Sequence, residues 1–87
     1  MQDADIDPAI VAVLQVLWQA DREAGGGPWS LARIAKRSRL PMSALRRVLT
    51  QLQSAGLADM SVDEAGRGHA SLTRAGAELA AQVFPEP

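Results

Sequence analysis

The stretch SLARIAKRSRLPMSALRRVLTQLQSAGL, residues 30–57, predicts two helices joined by a tight turn. Ser30 is placed to cap a helix over 31–38, because its side-chain oxygen can accept a free amide of the first turn. Pro41 interrupts this helix and starts the next one, over 42–55. A short helix, a tight turn and a longer helix together form the helix-turn-helix arrangement.

The inward faces of these helices follow from the spacing of their apolar residues. Positions three and four apart share one side of a helix, and they predict a core of Leu31, Ile34, Ala35, Leu45, Val48, Leu49 and Leu52. Gly56 stands just beyond the second helix, where a helix end favours a residue in the left-handed conformation.

The same stretch carries a block of basic residues and no acidic residue. Its cationic side chains are Arg33, Lys36, Arg37, Arg39, Arg46 and Arg47. The whole chain has 9 Lys and Arg against 10 Asp and Glu, so its net charge of -1 conceals a segregation by position. A basic stripe on two adjacent helices predicts a polyanionic partner. Charge alone leaves open a second interpretation, in which the stripe is only a solvated face.

The outward side of the helix over 42–55 favours the binding interpretation. With Leu45 in the core, the polar residues on and beside the opposite side are Ser43, Arg46, Arg47, Thr50, Gln51 and Ser54. Arginine can bridge guanine or phosphate, and Ser, Thr and Gln both donate and accept hydrogen bonds. Because no acidic residue shares this side to neutralise the arginines, the pattern predicts a nucleic-acid groove as the partner.

The segment before this stretch predicts one further helix, over 8–22, after a flexible tail over 1–6. Asp7 is placed as its cap, and Pro8 suits the first helical position. Its apolar residues cover more than one side of the helix, which indicates that the helix packs against more than one other surface. The glycine run that follows, Gly25-Gly26-Gly27, is interpreted as a linker, since it lacks the strand and the Gly-Lys-Ser/Thr of a phosphate loop.

The segment after this stretch predicts a β-hairpin over 57–72 and a final helix over 74–84. Ala58, Met60 and Val62 alternate with polar residues, which is the period of a strand. The final helix is capped by Thr73, and its apolar face is formed by Leu79, Ala80, Val83 and Phe84, with Pro85 closing it. Trp29 is expected to add a short strand to the hairpin. The predicted fold class is mainly α with a small antiparallel hairpin, in a single domain over 1–87.

Composition excludes several functional classes. With 87 residues there is room for one modest core, and the absence of cysteine excludes disulfides and thiolate metal sites. No apolar run is long enough to span a bilayer, so we expect a cytoplasmic protein. The only histidine, His69, has no catalytic or metal-binding partner at a recognisable spacing, and Asp3, Asp5 and Asp7 lack the rest of a calcium loop. The sequence therefore predicts no enzyme activity and no cofactor or metal.

A set of short motifs, in this order, resembles the core of bacterial winged helix-turn-helix regulators. The motifs are Ile34-Ala35, Leu40-Pro41, Ser43, Leu45-Arg46-Arg47, Leu49, Leu52, Ala55-Gly56-Leu57 and Leu72-Thr73-Arg74-Ala75-Gly76. The last resembles the leucine-threonine-x-x-glycine segment that follows the wing in MarR-, PadR- and ArsR-like proteins. The resemblance implies a homodimeric DNA-binding winged helix, with recognition helix 42–55 and wing 57–72. The wing departs from a typical basic one, since Asp63 and Glu64 accompany Arg67.

These observations predict a dimeric transcription regulator that binds double-stranded DNA. The expected contacts to DNA are Arg33, Lys36, Arg37, Arg39, Ser43, Arg46, Arg47, Thr50, Gln51, Arg67 and His69. The first and last helices are expected to form the dimer interface, through Ile10, Val13, Leu17, Leu79, Val83 and Phe84. One alternative is a winged helix that docks an acidic protein through its basic face without binding DNA. A second is a sensor whose small-molecule effector, of unknown identity, binds at the dimer interface near Trp18.

Overall fold

The computed structural model describes residues 7–23 and 28–84. In chain order its elements are α1 (Pro8–Arg22), β1 (Trp29–Ser30), α2 (Leu31–Ser38), α3 (Met42–Ser54), β2 (Ala58–Val62), β3 (Gly68–Leu72) and α4 (Arg74–Val83). The predicted fold class is confirmed: helices dominate, and a short antiparallel sheet carries the hairpin. The expectations for the tail over 1–6, the linker over 25–27 and Pro85 lie outside the described residues.

Helix α1 lies at the centre of the molecule. Asp7 caps it by accepting a hydrogen bond of 2.9 Å from the amide of Ala9. The helix packs against α2, α3, α4 and β3, so its apolar sides are covered within its own chain. Val13 and Leu17 are both 0% exposed in this core. Val13 and Leu17 therefore do not belong to the predicted dimer interface, because a side chain enclosed by its own chain has no surface left for a partner.

Helices α2 and α3 form the predicted helix-turn-helix. Ser30 caps α2 by accepting a bond of 3.2 Å from the amide of Arg33. The predicted core residues of the two helices are buried, except that Ala35 is only half-buried. Gly56 has a φ of 76° after α3, as its place in the sequence predicted.

The strands form an antiparallel sheet in the order β1-β3-β2. Trp29 supplies the expected short strand and pairs with Ala70, which also pairs with Met60 on the other side. The alternation of β2 holds at its start but not at its end, because Val62 is 72% exposed.

Helix α4 turns Gly76 and Ala80 toward the core. The predicted apolar face of α4 is therefore only partly buried, since Ala80 enters the core while Leu79 and Val83 are 36% and 48% exposed. The small residues at 76 and 80 bring the backbone of α4 close to the core, which leaves the larger Leu79 and Val83 on the outer side.

Candidate nucleic-acid interface

The outward side of α3 is a continuous polar surface. Its exposed residues are Ser43, Arg46, Arg47, Thr50, Gln51 and Ser54. Leu45, Val48, Leu49 and Leu52 hold the opposite side in the core, which fixes the rotation of the helix. Thr50 can donate less to a partner than predicted, because its hydroxyl donates a hydrogen bond to the carbonyl of Arg46 at 2.8 Å. Its proton is used within the helix, so Thr50 offers a partner chiefly its acceptor lone pairs.

Within the part of the chain that the structure describes, neighbouring side chains do not neutralise the arginines of α3. Arg46 and Arg47 are exposed, and no ion pair involves either of them among residues 7–23 and 28–84. Such a surface attracts an anion from solution because its charge is not already compensated.

The cations of α2 fall into two groups. Arg33 lies over the ring of Trp29 with 3.8 Å between its guanidinium carbon and the ring centre, and Arg37 lies at 5.2 Å from that centre. Both contacts are cation–π interactions, and they leave in-plane N–H donors available to an anion. Lys36 and Arg39 are exposed and make no such contact in the described structure. This role of Trp29 was not predicted from the sequence, although residues 29, 33 and 37 are spaced by four.

Arg39 lies in the turn between α2 and α3. It ends α2 with φ 61° and ψ 38°, and the next amide, that of Leu40, donates to the carbonyl of Ala35 at 3.1 Å. This left-handed conformation favours glycine or asparagine, and a long side chain there is uncommon. The turn therefore carries a strained arginine on the basic side of the molecule.

The tip of the wing is organised by Asp63. One carboxylate oxygen accepts from the amides of Ala65 and Arg67, at 2.9 Å and 2.8 Å. The other oxygen lies 3.2 Å from Nε of Arg67, and Gly66 completes the turn with φ 82°. Arg67 is consequently an ion-paired residue, in contrast to Arg46 and Arg47.

A cleft of about 450 Å³, named here the wing cleft, lies between the first turns of α2 and α3 and the wing. Its lining residues are Ser30, Leu31, Ala32, Met42, Arg46, Gly66, Arg67, Gly68 and His69. The cleft brings Arg46, Arg67 and His69 together, whereas Arg33 and Arg37 lie over Trp29 and do not line it. His69 is half-buried, because it lies in the central strand between Ser30 and Ser61.

Of the remaining residues predicted for a dimer interface, two are exposed and two are half-buried. Leu79 and Val83 are one helical turn apart on the outer side of α4, and Phe84 and Ile10 are half-buried against the core. The described residues contain no cluster of His, Asp or Glu that could hold a metal ion. No helix in the described part of the chain is long and apolar enough to cross a membrane.

No protein-family model and no curated protein matches the chain. Among solved structures, a candidate DNA-binding protein from Ralstonia eutropha is 71% identical, with 92% of this chain and 99% of that chain covered and a TM-score of 0.85. A MarR-family transcriptional regulator from Silicibacter pomeroyi is similar in fold, with 22% identity, 92% and 51% coverage and a TM-score of 0.77. BpsR from Bordetella bronchiseptica, whose DNA binding is regulated by 6-hydroxynicotinic acid, shows 25% identity, 98% and 61% coverage and a TM-score of 0.74. The chain thus spans about half to three-fifths of the length of these two regulators.

Proposed function

Since the chain belongs to the same winged helix-turn-helix family as the Ralstonia eutropha protein, we propose that it binds double-stranded DNA sequence-specifically and regulates transcription in the cytoplasm. The exposed side of α3 carries this proposal. It offers two arginines without an ion pair among the described residues, beside hydroxyl and amide groups, and Ser43, the second residue of α3, is small enough to let the start of the helix approach base edges. In a helix-turn-helix the second helix lies in the major groove, which assigns base contacts to Arg46, Arg47 and Gln51.

The cations of α2 and of the turn suit the DNA backbone. In this arrangement the first helix crosses the phosphates and does not enter the groove. Lys36 and Arg39 are exposed cations suited to that purpose, and Arg33 and Arg37 lie over Trp29. From the wing, Arg67 and His69 would approach a flanking phosphate, with Arg67 still paired to Asp63.

The proposal includes a homodimer formed through α4 and the start of α1. Leu79 and Val83 leave apolar surface uncovered on α4, and Ile10 of α1 and Phe84 after α4 are only partly buried. Two copies related by a two-fold axis would place their α3 helices about 34–36 Å apart and bind a palindrome. Dimerisation would also double the basic surface, which is small in one copy.

Fluorescence anisotropy with a labelled random-sequence duplex, followed by selection and sequencing of bound fragments, tests this function. We expect affinity that falls steeply as salt rises and a selected palindrome that binds at least a thousandfold more tightly than random DNA, about the lower end for specific binders. Absence of duplex binding at low salt, together with tight binding of an acidic protein, would instead support an interaction module. Selected fragments without a common sequence would limit the function to non-specific binding.

A further inference from the structure

On the basis of the DNA binding proposed above, we propose that Trp29 is a positioning residue for the contact with the DNA backbone. Its ring orders Arg33 and Arg37 in the free protein, before a duplex is bound. The guanidinium carbon of Arg33 lies 3.8 Å from the ring centre, and that of Arg37 lies 5.2 Å from it. One ring therefore contacts two of the cations that α2 presents at its surface.

The ring of Trp29 is a fixed surface because the core encloses most of it. Trp29 is 8% exposed and belongs to the cluster of buried apolar residues. Its backbone pairs with Ala70 in the central strand of the sheet. A side chain packed in this way has few rotamers left, so a group that stacks on its exposed part acquires a defined position.

The two arginines reach the ring from one side of α2. Arg33 and Arg37 are four residues apart, so they are neighbours on the surface of the helix. The amide of Arg33 donates to the hydroxyl of Ser30 at 3.2 Å, which fixes the start of α2 directly after Trp29. The cap thus places the backbone of Arg33, and the ring places its guanidinium group.

The stack concentrates positive charge without neutralising it. Two guanidinium groups beside one ring repel each other, and the negative face of the indole offsets part of that repulsion. Neither Arg33 nor Arg37 has an ion pair with a carboxylate among residues 7–23 and 28–84. Stacking uses the face of a guanidinium group and leaves its in-plane N–H donors free, and these donors match the oxygens of a phosphate.

The ring contributes to affinity by ordering these side chains in advance. A long side chain that becomes fixed only on binding loses rotamer freedom, and this loss weakens the complex. Arg33 and Arg37 have lost part of that freedom already, whereas Lys36 and Arg39 are exposed and have no ring contact in the described structure. Removal of the ring should therefore weaken the phosphate contacts on every duplex alike. The number of cations stays the same, so the salt dependence should not change.

Titration of Trp29→Leu with the selected palindrome and with a random-sequence duplex tests this role. We expect both affinities to fall by about threefold to tenfold, as the ordering of one or two side chains predicts, with the salt slope of the wild type. Trp29→Phe keeps an aromatic face and should recover most of the loss. In a protein that also carries Arg33→Ala and Arg37→Ala, Trp29→Leu should have no further effect, because no guanidinium group is left to order. A loss that persists there, as general damage to the fold would produce, or a loss confined to the palindrome would overturn the role.

Two surface variants that keep the charge test the same role with the core intact, since Trp29→Leu removes a buried ring and lowers stability. Arg33→Lys replaces the planar group that stacks and should weaken duplex binding by about threefold or more. Arg39→Lys is the matched control, because Arg39 is exposed and contacts no ring in the described structure. Its affinity should stay within about twofold of the wild type, and equal losses in the two variants would overturn the role.

The order of the side chains is measured without DNA. In the NMR spectrum of the free protein, the ring current of Trp29 should shift the Nε–H proton of Arg33 upfield, and Trp29→Leu should abolish this shift. The Nε–H proton of Arg39 should be the same in both proteins. An unshifted Arg33 in the wild type would overturn the role independently of DNA binding. A wild type that binds no duplex refutes the proposed function and this role with it, whereas a wild type that binds no better than Trp29→Leu refutes the role alone.

Discussion

The carbonyl oxygen of Leu57 lies so close to Gly76 that it would overlap a Cβ at that position. The amide of Thr73 donates to this same carbonyl at 3.0 Å, and the hydroxyl of Thr73 donates to the carbonyl of Gly56 at 2.6 Å. That hydroxyl also accepts from the amide of Gly76 at 3.0 Å, as the cap of α4. The leucine-threonine-x-x-glycine motif therefore joins the end of α3 to the start of α4.

Replacement of Gly76 by alanine should be strongly destabilising. The added methyl group meets backbone, which cannot rotate away, so we expect a loss of about 2–3 kcal/mol in the free energy of unfolding. Gly68→Ala is the comparison, because its methyl group would meet the flexible end of Leu31 and should cost less. Urea unfolding of both variants measures the difference, and equal stability of Gly76→Ala and wild type would contradict the close contact.

Replacement of Arg39 by glycine should raise stability and lower DNA affinity. A non-glycine residue in the left-handed region costs about 1–2 kcal/mol, and glycine recovers part of this after its own entropy loss, so we expect a gain of about 0.5–1 kcal/mol. The same substitution removes a proposed phosphate contact. Thermal unfolding and duplex titration measure the two effects. Lys36→Gly is the control, since glycine inside α2 should lower stability by about 1 kcal/mol. If Arg39→Gly also lowered stability, backbone strain at Arg39 would be contradicted.

Arg47→Ala should weaken specific DNA binding more than any other basic-to-alanine change. Arg47 lies on the exposed side of α3 without an ion pair in the described structure, and loss of a base contact costs about 1–3 kcal/mol. Arg74→Ala removes the same charge from α4, where Arg74 is paired with Glu78 at 3.5 Å, and should leave binding nearly unchanged. Anisotropy on the selected palindrome compares the two, and a wild-type affinity for Arg47→Ala would exclude this residue from the site.

Asp63→Asn should strengthen DNA binding. The side-chain oxygen of asparagine can still accept the two amides of the turn, while Arg67 is released from its ion pair. We expect duplex affinity at low salt to rise by about twofold to tenfold, with a steeper salt dependence. Glu64→Gln is the control, since Glu64 is in the same turn but not paired with Arg67. If Glu64→Gln raised the affinity as much, the gain would reflect the net charge of the wing and not the release of Arg67.

A double substitution of Leu79 and Val83 by glutamate should separate the proposed dimer into folded monomers. Both side chains are exposed in the single chain, so charge there should spare the core while it opposes burial against a partner. Sedimentation at micromolar concentration should show a dimer for wild type and a monomer for the variant, with unchanged circular dichroism. Val62→Glu, on the exposed wing, should remain dimeric; a monomeric wild type at this concentration would rule out the proposed dimer.

Much of the candidate site could be predicted because its residues are arranged by a single helix. Once Leu45, Val48 and Leu49 are assigned to the core, the period of 3.6 residues leaves Arg47 and Thr50 outside. The ion pair between Arg67 and Asp63 was not predicted, although the sequence shows both residues in the wing. Their pairing depends on the five-residue turn bringing a carboxylate back to its own wing, which the spacing of polar residues does not reveal.

The sequence by itself determined the elements and their order, because caps, breaks and periodicity act over only a few residues. Asp7, Ser30 and Thr73 each accept an amide two or three positions ahead, and Pro41 and Gly56 mark helix boundaries in the same local way. Only the tertiary structure decided which apolar surfaces remain free. Val13 and Leu79 look alike in a helical pattern, yet one is enclosed by elements from across the chain and the other is exposed. Burial is a property of contacts between distant segments, and it therefore assigned Val13 to the core and left Leu79 available to a partner.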